Sequence, residues 1–487
     1  MEPIWVILII VLYFGVLIAI GAYTGRNANN EAFFLGNRRS PWYIVAFGML
    51  GASLSGVTFI SVPGMVGASQ FSYLQLVLGY LLGYYVIANV LLPLYYRLNL
   101  TSIYTYLDGR FGFFSYKTGS VFFLISRLVG SSFRLYLVAA VLQVNVFNAW
   151  HVPFWVTVVI TIVLIWIYTN RGGIKTIIWT DTLQTAVMLA TVILCIIFIA
   201  KQMDLSFAQM VQTIRDSEYS RTWFFDDWND KRHFVKQFFS GVFITIVMTG
   251  LDQDMMQKNL SCRNLGDAKK NMYWYGFAFL PVNLIFLSLG VLLFVFAHRN
   301  GIAIPAQSDD LFPIIATQGY LPKVVSVLFI IGIIAAAYSS ADSALTALTT
   351  SFTVDILNLK GRSEDEQKTV RRRVHIAFSV LSALVIMVFR AVNDQSVINS
   401  IFTVAGYTYG PLLGLYAFGL FTKLDVKDKW VPLIAILSPI ICYFLSKYSQ
   451  EIFNGYRFGF ELLMVNGFFT FMGLLAVSNR NRRVLHS

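Results

Sequence analysis

The chain has 487 residues, 57% hydrophobic and 13% charged, with a formal net charge of +12. A soluble domain carries about a quarter charged residues, so this composition excludes a single water-soluble core and places the chain in a lipid bilayer. The basic residues sit in short loops and form no patch, which argues against nucleic acid, and Cys195, Cys262 and Cys442 are too far apart for a disulfide framework or a zinc site.

Apolar runs long enough to span a membrane recur along the chain with short polar breaks. They predict about thirteen transmembrane helices, near 4–23, 41–66, 73–96, 118–146, 152–169, 176–201, 234–257, 271–297, 321–352, 374–392, 396–421, 431–447 and 458–478. The weakest of these is 374–392. The first run lacks a basic leading segment and is long enough to span, so it reads as a retained helix and not a signal peptide. No window alternates as a barrel strand does, which leaves an all-α membrane protein. The segment 201–236 reads as an amphipathic helix and loop over one face, and 353–373 as a solvated loop on the other.

Charge orients the bundle. Arg26, Arg38, Arg39, Arg171, Lys175, Lys258, Arg263, Lys269, Lys270, Arg480, Arg482 and Arg483 all fall on one side. That side holds about 24 of the 37 Lys and Arg. The positive-inside rule therefore puts the N-terminus outside and the C-terminus in the cytoplasm. Arg127 and Arg134 fall inside a predicted span.

Three polar clusters interrupt the apolar spans. In the second span, Gly51, Ser53, Leu54, Ser55, Gly56 and Thr58 put small and hydroxyl residues at mid-depth. A helix opened there frees carbonyls for a hard cation or a polar solute, while close helix packing explains the same residues equally well. In the ninth span, Ala336, Ser339, Ser340, Asp342 and Ser343 lie close together. A mid-membrane carboxylate costs about 2.5–3.5 kcal/mol to insert, so it faces a partner or a wet cavity. Its hydroxyl neighbours resemble an oxygen cage for a hard cation, although serines also back-bond to their own helix. Asp181, one turn inside the sixth span, is either an acid favoured by the helix dipole or part of a second cation position near Ser343.

The chain resembles the sodium:solute symporters. The resemblance rests on Phe33-Phe34-Leu35-Gly36-Asn37-Arg38, Leu100 to Leu107 with Arg110-Phe111-Gly112, and Gly172-Gly173-Ile174-Lys175 before Trp179-Thr180-Asp181. Asp252-Gln253 with Gln257-Lys258-Asn259-Leu260-Ser261, the Ala336/Ser339/Ser340 cluster and Gly410-Pro411-Leu412-Leu413-Gly414 complete it. It implies a LeuT-type fold in one transporter domain over 1–487. That domain would hold a first helix at 4–23, five-plus-five inverted repeats over about 41–201 and 234–421, and C-terminal helices over 431–478. The spans 41–66 and 234–257 would both be broken at mid-membrane. It further implies a Na⁺ site formed by Gly51, Leu54, Ala336, Ser339 and Ser340, and a second cation site at Asp181, Ser339, Ser340, Asp342 and Ser343. One or two Na⁺ would then be coupled. Asp342 replaces a small hydroxyl residue of the sialic acid carriers, so it adds a ligand or carries a proton.

Arg134 lies near the middle of the fourth span, and Arg127 is on the same helical face, nearer the cytoplasm, where it can snorkel or meet a loop carboxylate. A guanidinium at that depth suits a carboxylate through paired charge-assisted bonds, or it forms an ion pair with Asp342 or Asp181. With Ser53, Ser55, Thr58, Phe71 and Gln75 it resembles the substrate set of the family's sialic acid carriers. The expected function is Na⁺-coupled import of a small polar solute such as sialic acid, with a neutral sugar or another small acid or vitamin as alternatives. The expected protein is a monomer in the plasma membrane. The five histidines lie in loops, span ends or the tail, and no catalytic constellation is present, so an enzyme is not expected.

Overall fold

The computed structural model describes residues 3–25, 30–359, 361–392 and 397–479. Arg26, Arg480, Arg482 and Arg483 of the charge argument lie outside the described residues, as does the side chain of Arg171. The chain is helical almost throughout, as backbone in hydrocarbon requires. Helix α1 is Pro3–Thr24, α2 Trp42–Ser53 and α3 Gly56–Ser69. They are followed by α4 Ser72–Arg97, α5 Phe113–Asn145, α6 Phe154–Gly172 and α7 Ile174–Gln202. Next come α8 Phe234–Gly250, α9 Gln253–Leu260, α10 Leu265–Arg299, α11 Lys323–Ser351 and α12 Glu364–Val392. The last are α13 Val397–Thr408, α14 Gly410–Phe421, α15 Val431–Lys447 and α16 Leu462–Ala476. Among the described residues seven helices are long and apolar enough to cross a membrane, or up to nine spans if each of two bent pairs counts as one.

Those bent pairs are α2–α3, turned by 56°, and α8–α9, turned by 65°. The first break falls in the small-residue run, where Ser55 adopts φ −41°, ψ 174° and leaves the helical region. The second follows a π-helical turn at Ile246–Gly250. There Asp252 restarts the chain as an N-cap, its carboxylate accepting the N–H groups of Asp254 (2.9 Å) and Met255 (3.2 Å).

Glycines let the central helices approach at backbone distance. A Cβ on Gly51 would stand 1.9 Å from Thr185 Oγ1, which lets α2 lie against α7, and one on Gly241 would stand 2.0 Å from the Leu76 carbonyl, where α8 crosses α4. Around this centre α7 also packs along α11, and α14 pairs with α16 at the periphery.

Three elements differ from expectation or refine it. Helix α12 begins at Glu364, well before 374, because Ser363 and Glu366 form reciprocal cap bonds of 3.3 Å and the acidic first turn suits the helix dipole. Much of the expected 353–373 loop is therefore helix. The amphipathic helix expected in 201–236 is Phe207–Arg215, capped by Ser206 and Gln209. Lys258, assigned to a loop on charge, instead sits inside α9 and is 1% exposed.

Candidate functional site

The break after Ser53 leaves the last carbonyls of α2 without following helical N–H groups. One of them, Ala52 O, accepts the Ser340 hydroxyl at 3.0 Å, while Ser340 reaches its own helix at Ala336 O only at 3.5 Å. Across from them Ser339 Oγ donates to Asp181 Oδ1 at 2.7 Å. A hydroxyl that donates once keeps lone pairs free to face a cation. Gly51, Leu54, Ala336, Ser339 and Ser340 are all buried around this junction of α2 and α11. Ala52 was absent from the expected set; only the register of the break singles it out.

Asp181 is fully buried and ion-paired with Lys258 of α9, Nζ to Oδ2 at 2.8 Å. Thr185 Oγ1 closes the adjacent turn by donating to Asp181 O at 2.6 Å. Of the other residues expected around a second cation, Asp342 accepts the Ser343 N–H at 2.5 Å, and the Ser343 hydroxyl donates to Asp254. Asp254 in turn pairs with Arg127. Asp252 lies 3.8 Å from the same guanidinium and accepts the Tyr409 hydroxyl at 2.5 Å. Arg127 therefore neither snorkels nor meets a loop carboxylate. Its partners, Asp252 and Asp254, sit at the start of the restarted half-helix α9, inside the span expected over 234–257.

Next to this network lies a cavity offering about 90 Å³ of free space. Ser53, Ser55, Thr58 and Arg134 line it together with Arg127, Tyr73, Tyr80, Tyr84, Thr245, Thr249 and Tyr275. Tyr275 of α10 ties the wall together: its hydroxyl bonds to Ser53 Oγ at 2.6 Å and receives Tyr84 OH at 3.0 Å. Among the described residues Arg134 makes no ion pair, and its buried Nε has no hydrogen-bond partner. The ion pair with Asp181 or Asp342 is thus not what holds it.

Two expected substrate residues lie elsewhere. Gln75 is fully buried, donates to Arg232 O at 2.8 Å and accepts the Phe224 N–H at 3.2 Å, so it anchors the 220–233 loop. Phe71 donates its backbone N–H to Arg221 O at 3.0 Å and helps hold the same loop. Neither lines the cavity. Lys258, named in the sequence only as part of the Gln257–Ser261 motif and as a loop cation, and Tyr275, not named at all, both stand at the site. For Lys258 the available signal was its place in the Gln257-Lys258-Asn259-Leu260-Ser261 motif, a stretch that the structure buries.

Half-helices with freed carbonyls at mid-depth, a hydroxyl pair opposite them and a polar cavity alongside define a secondary transporter. Residues 33–425 match the sodium:solute symporter family, and the chain belongs to it. It is a Na⁺-coupled membrane symporter and not an enzyme. Among its relatives are the sodium/sialic acid symporter NanT of Aliivibrio fischeri, 24% identical over 84% of this chain and 82% of that one, and SiaT of Proteus mirabilis, 24% identical over 90% and 89%. The human sodium-coupled monocarboxylate transporter 1 is 26% identical over 84% of this chain and 68% of its own. A solved Na⁺-coupled sialic acid symporter, substrate-bound and outward-open, superposes with a TM-score of 0.82 at 20% identity, over 98% of this chain and 99% of that one. The two share a fold.

Proposed function

We propose that the chain imports a carboxylated sugar of the sialic acid type together with Na⁺. The observation that carries this reading is Arg134: a guanidinium without a carboxylate partner among the described residues, on a cavity walled by hydroxyls. An unpaired cation at that depth is expensive, and a substrate carboxylate offsets the cost. The surrounding Ser, Thr and Tyr hydroxyls suit the many polar groups of a sugar. The sialic acid symporters NanT and SiaT add weight as relatives. Na⁺ would bind at the carbonyls of Gly51, Leu54 and Ala336 and the hydroxyls of Ser339 and Ser340, a hard cation among oxygen ligands.

A smaller organic acid is the second reading, favoured by the narrow cavity of about 90 Å³ and by the monocarboxylate transporter among the relatives. Competition uptake in proteoliposomes decides. A carboxylated sugar should compete and its carboxyl-reduced form should not, and Arg134→Gln should erase the difference. Equal competition by both forms, with Arg134→Gln transporting normally, would refute the carboxylate reading.

The same reading takes the whole chain as one domain of thirteen spans in a LeuT-type five-plus-five inverted repeat. Counting α1, α6, α13 with α14, and α16 beside the nine longer spans supports that number. The protein would be a monomer in the plasma membrane, with its N-terminus outside and its C-terminus in the cytoplasm, as the loop charges favour.

A further inference from the structure

The resemblance to sialic acid carriers leads one to expect a second coupled cation at Asp181. Both carboxylate oxygens of Asp181, the anion that would anchor it, are already engaged. Asp181 Oδ2 faces the Lys258 ammonium at 2.8 Å, and Asp181 Oδ1 takes the Ser339 hydroxyl at 2.7 Å. The Ser343 and Ser340 hydroxyls donate to Asp254 and to Ala52 O, so they keep lone pairs but bring no negative charge to balance a second cation. Lys258 itself is among the largest fully buried side chains of the protein, and Asp181 is its only ion-pair partner among the described residues.

A lysine does not reach such a position cheaply. An ammonium is a compact, strongly hydrated charge, and burying it costs several kcal/mol unless a carboxylate meets it. The pair holds only if each member answers the other. A Na⁺ ion entering at Asp181 would then stand against a like charge at contact distance, beside a carboxylate already neutralised.

We propose that the Lys258 ammonium is a resident cation that takes the place of a second coupling ion at Asp181, so that one Na⁺ moves in each transport cycle. The ion that moves sits at Ser339 and Ser340, and Ser339 links it to the fixed charge through Asp181. The inference rests on Na⁺ coupling but not on the identity of the solute. For a monoanionic solute, one Na⁺ per cycle leaves no net charge crossing the membrane.

The test is equilibrium binding of ²²Na⁺ to the purified full-length protein in detergent, without solute and with choline chloride holding ionic strength constant. One Na⁺ per chain is expected for the wild type, with a Hill coefficient near one. Lys258→Gln, which frees Asp181, should bind a second Na⁺ and show cooperative binding. Asp181→Asn/Lys258→Gln, which removes both charges, should return to one. Two Na⁺ on the wild type would overturn the proposal, as would a Lys258→Gln protein that folds and still binds one. No Na⁺ on the wild type would overturn it together with the site at Ser339 and Ser340. If Lys258→Gln fails to fold, the wild-type count still decides, and the charge-free double variant checks that the remaining site is intact.

Discussion

Replacing Asp254 by Asn removes one charge from a deeply buried network while preserving shape. Arg127 and Asp254 are 6% and 0% exposed at their side chains, and Asp252 lies 3.8 Å from the same guanidinium. Breaking a buried pair from one side typically costs about 3–5 kcal/mol, because the other charge is left behind. The two sides of this pair are unequal. In Asp254→Asn the guanidinium can still lean on Asp252, and the amide oxygen can still accept from Ser343, so the loss should fall near about 3 kcal/mol. In Arg127→Gln two carboxylates are stranded, Asp252 with Tyr409 and two N–H groups for support, and the loss should approach about 5 kcal/mol. The double variant leaves only Asp252 charged, so it should be more stable than Arg127→Gln alone. Thermal unfolding of the detergent-solubilised proteins, arranged as a double-mutant cycle, reads all three. An Arg127→Gln protein milder than Asp254→Asn, or a double variant as unstable as the sum of the singles, would refute the charge-stranding argument.

Other outcomes follow from the site. Ser339→Ala with Ser340→Ala removes two hydroxyls at the α2–α11 junction, and the Na⁺ concentration for half-maximal uptake should rise more than about tenfold. Unchanged uptake at low millimolar Na⁺ would rule the assignment out. Gln75→Ala loses two hydrogen bonds to the 220–233 loop and should lower stability by about 1–3 kcal/mol, with the solute KM nearly unchanged. A large rise in KM without loss of stability would return Gln75 to the substrate site.

Much of the bundle was legible because hydrocarbon demands long apolar helices, and those dominate the sequence. Ser53, Ser55, Thr58 and Arg134 were legible for the opposite reason: polar groups at mid-span have few uses. The end of helix α9 escaped, because the span expected over 234–257 stops short of Lys258 and Asn259, whose polarity reads as a loop although both are buried. Its polar groups are satisfied by partners distant in the chain, and no local pattern records a contact such as Lys258–Asp181, 77 residues apart in sequence. Gln75 misled because its spacing from Phe71 puts both near one helix end, while only the fold decides whether that end meets the cavity or a loop.

Helix α9 is fastened along its whole length. Arg127 of α5 holds its first turn, Asp181 of α7 its last, Thr350 of α11 receives Gln257 at 3.1 Å, and Asn271 of α10 donates to Asn259 at 2.6 Å. Sliding it past any one of these neighbours would rupture a buried charge pair or hydrogen bond. The half-helix therefore travels as cargo of the helices it is bolted to. Any swing between the two halves of this span would have to be taken up at the Gly250–Leu251 joint, where the helical ladder is already interrupted and the chain already turns by 65°.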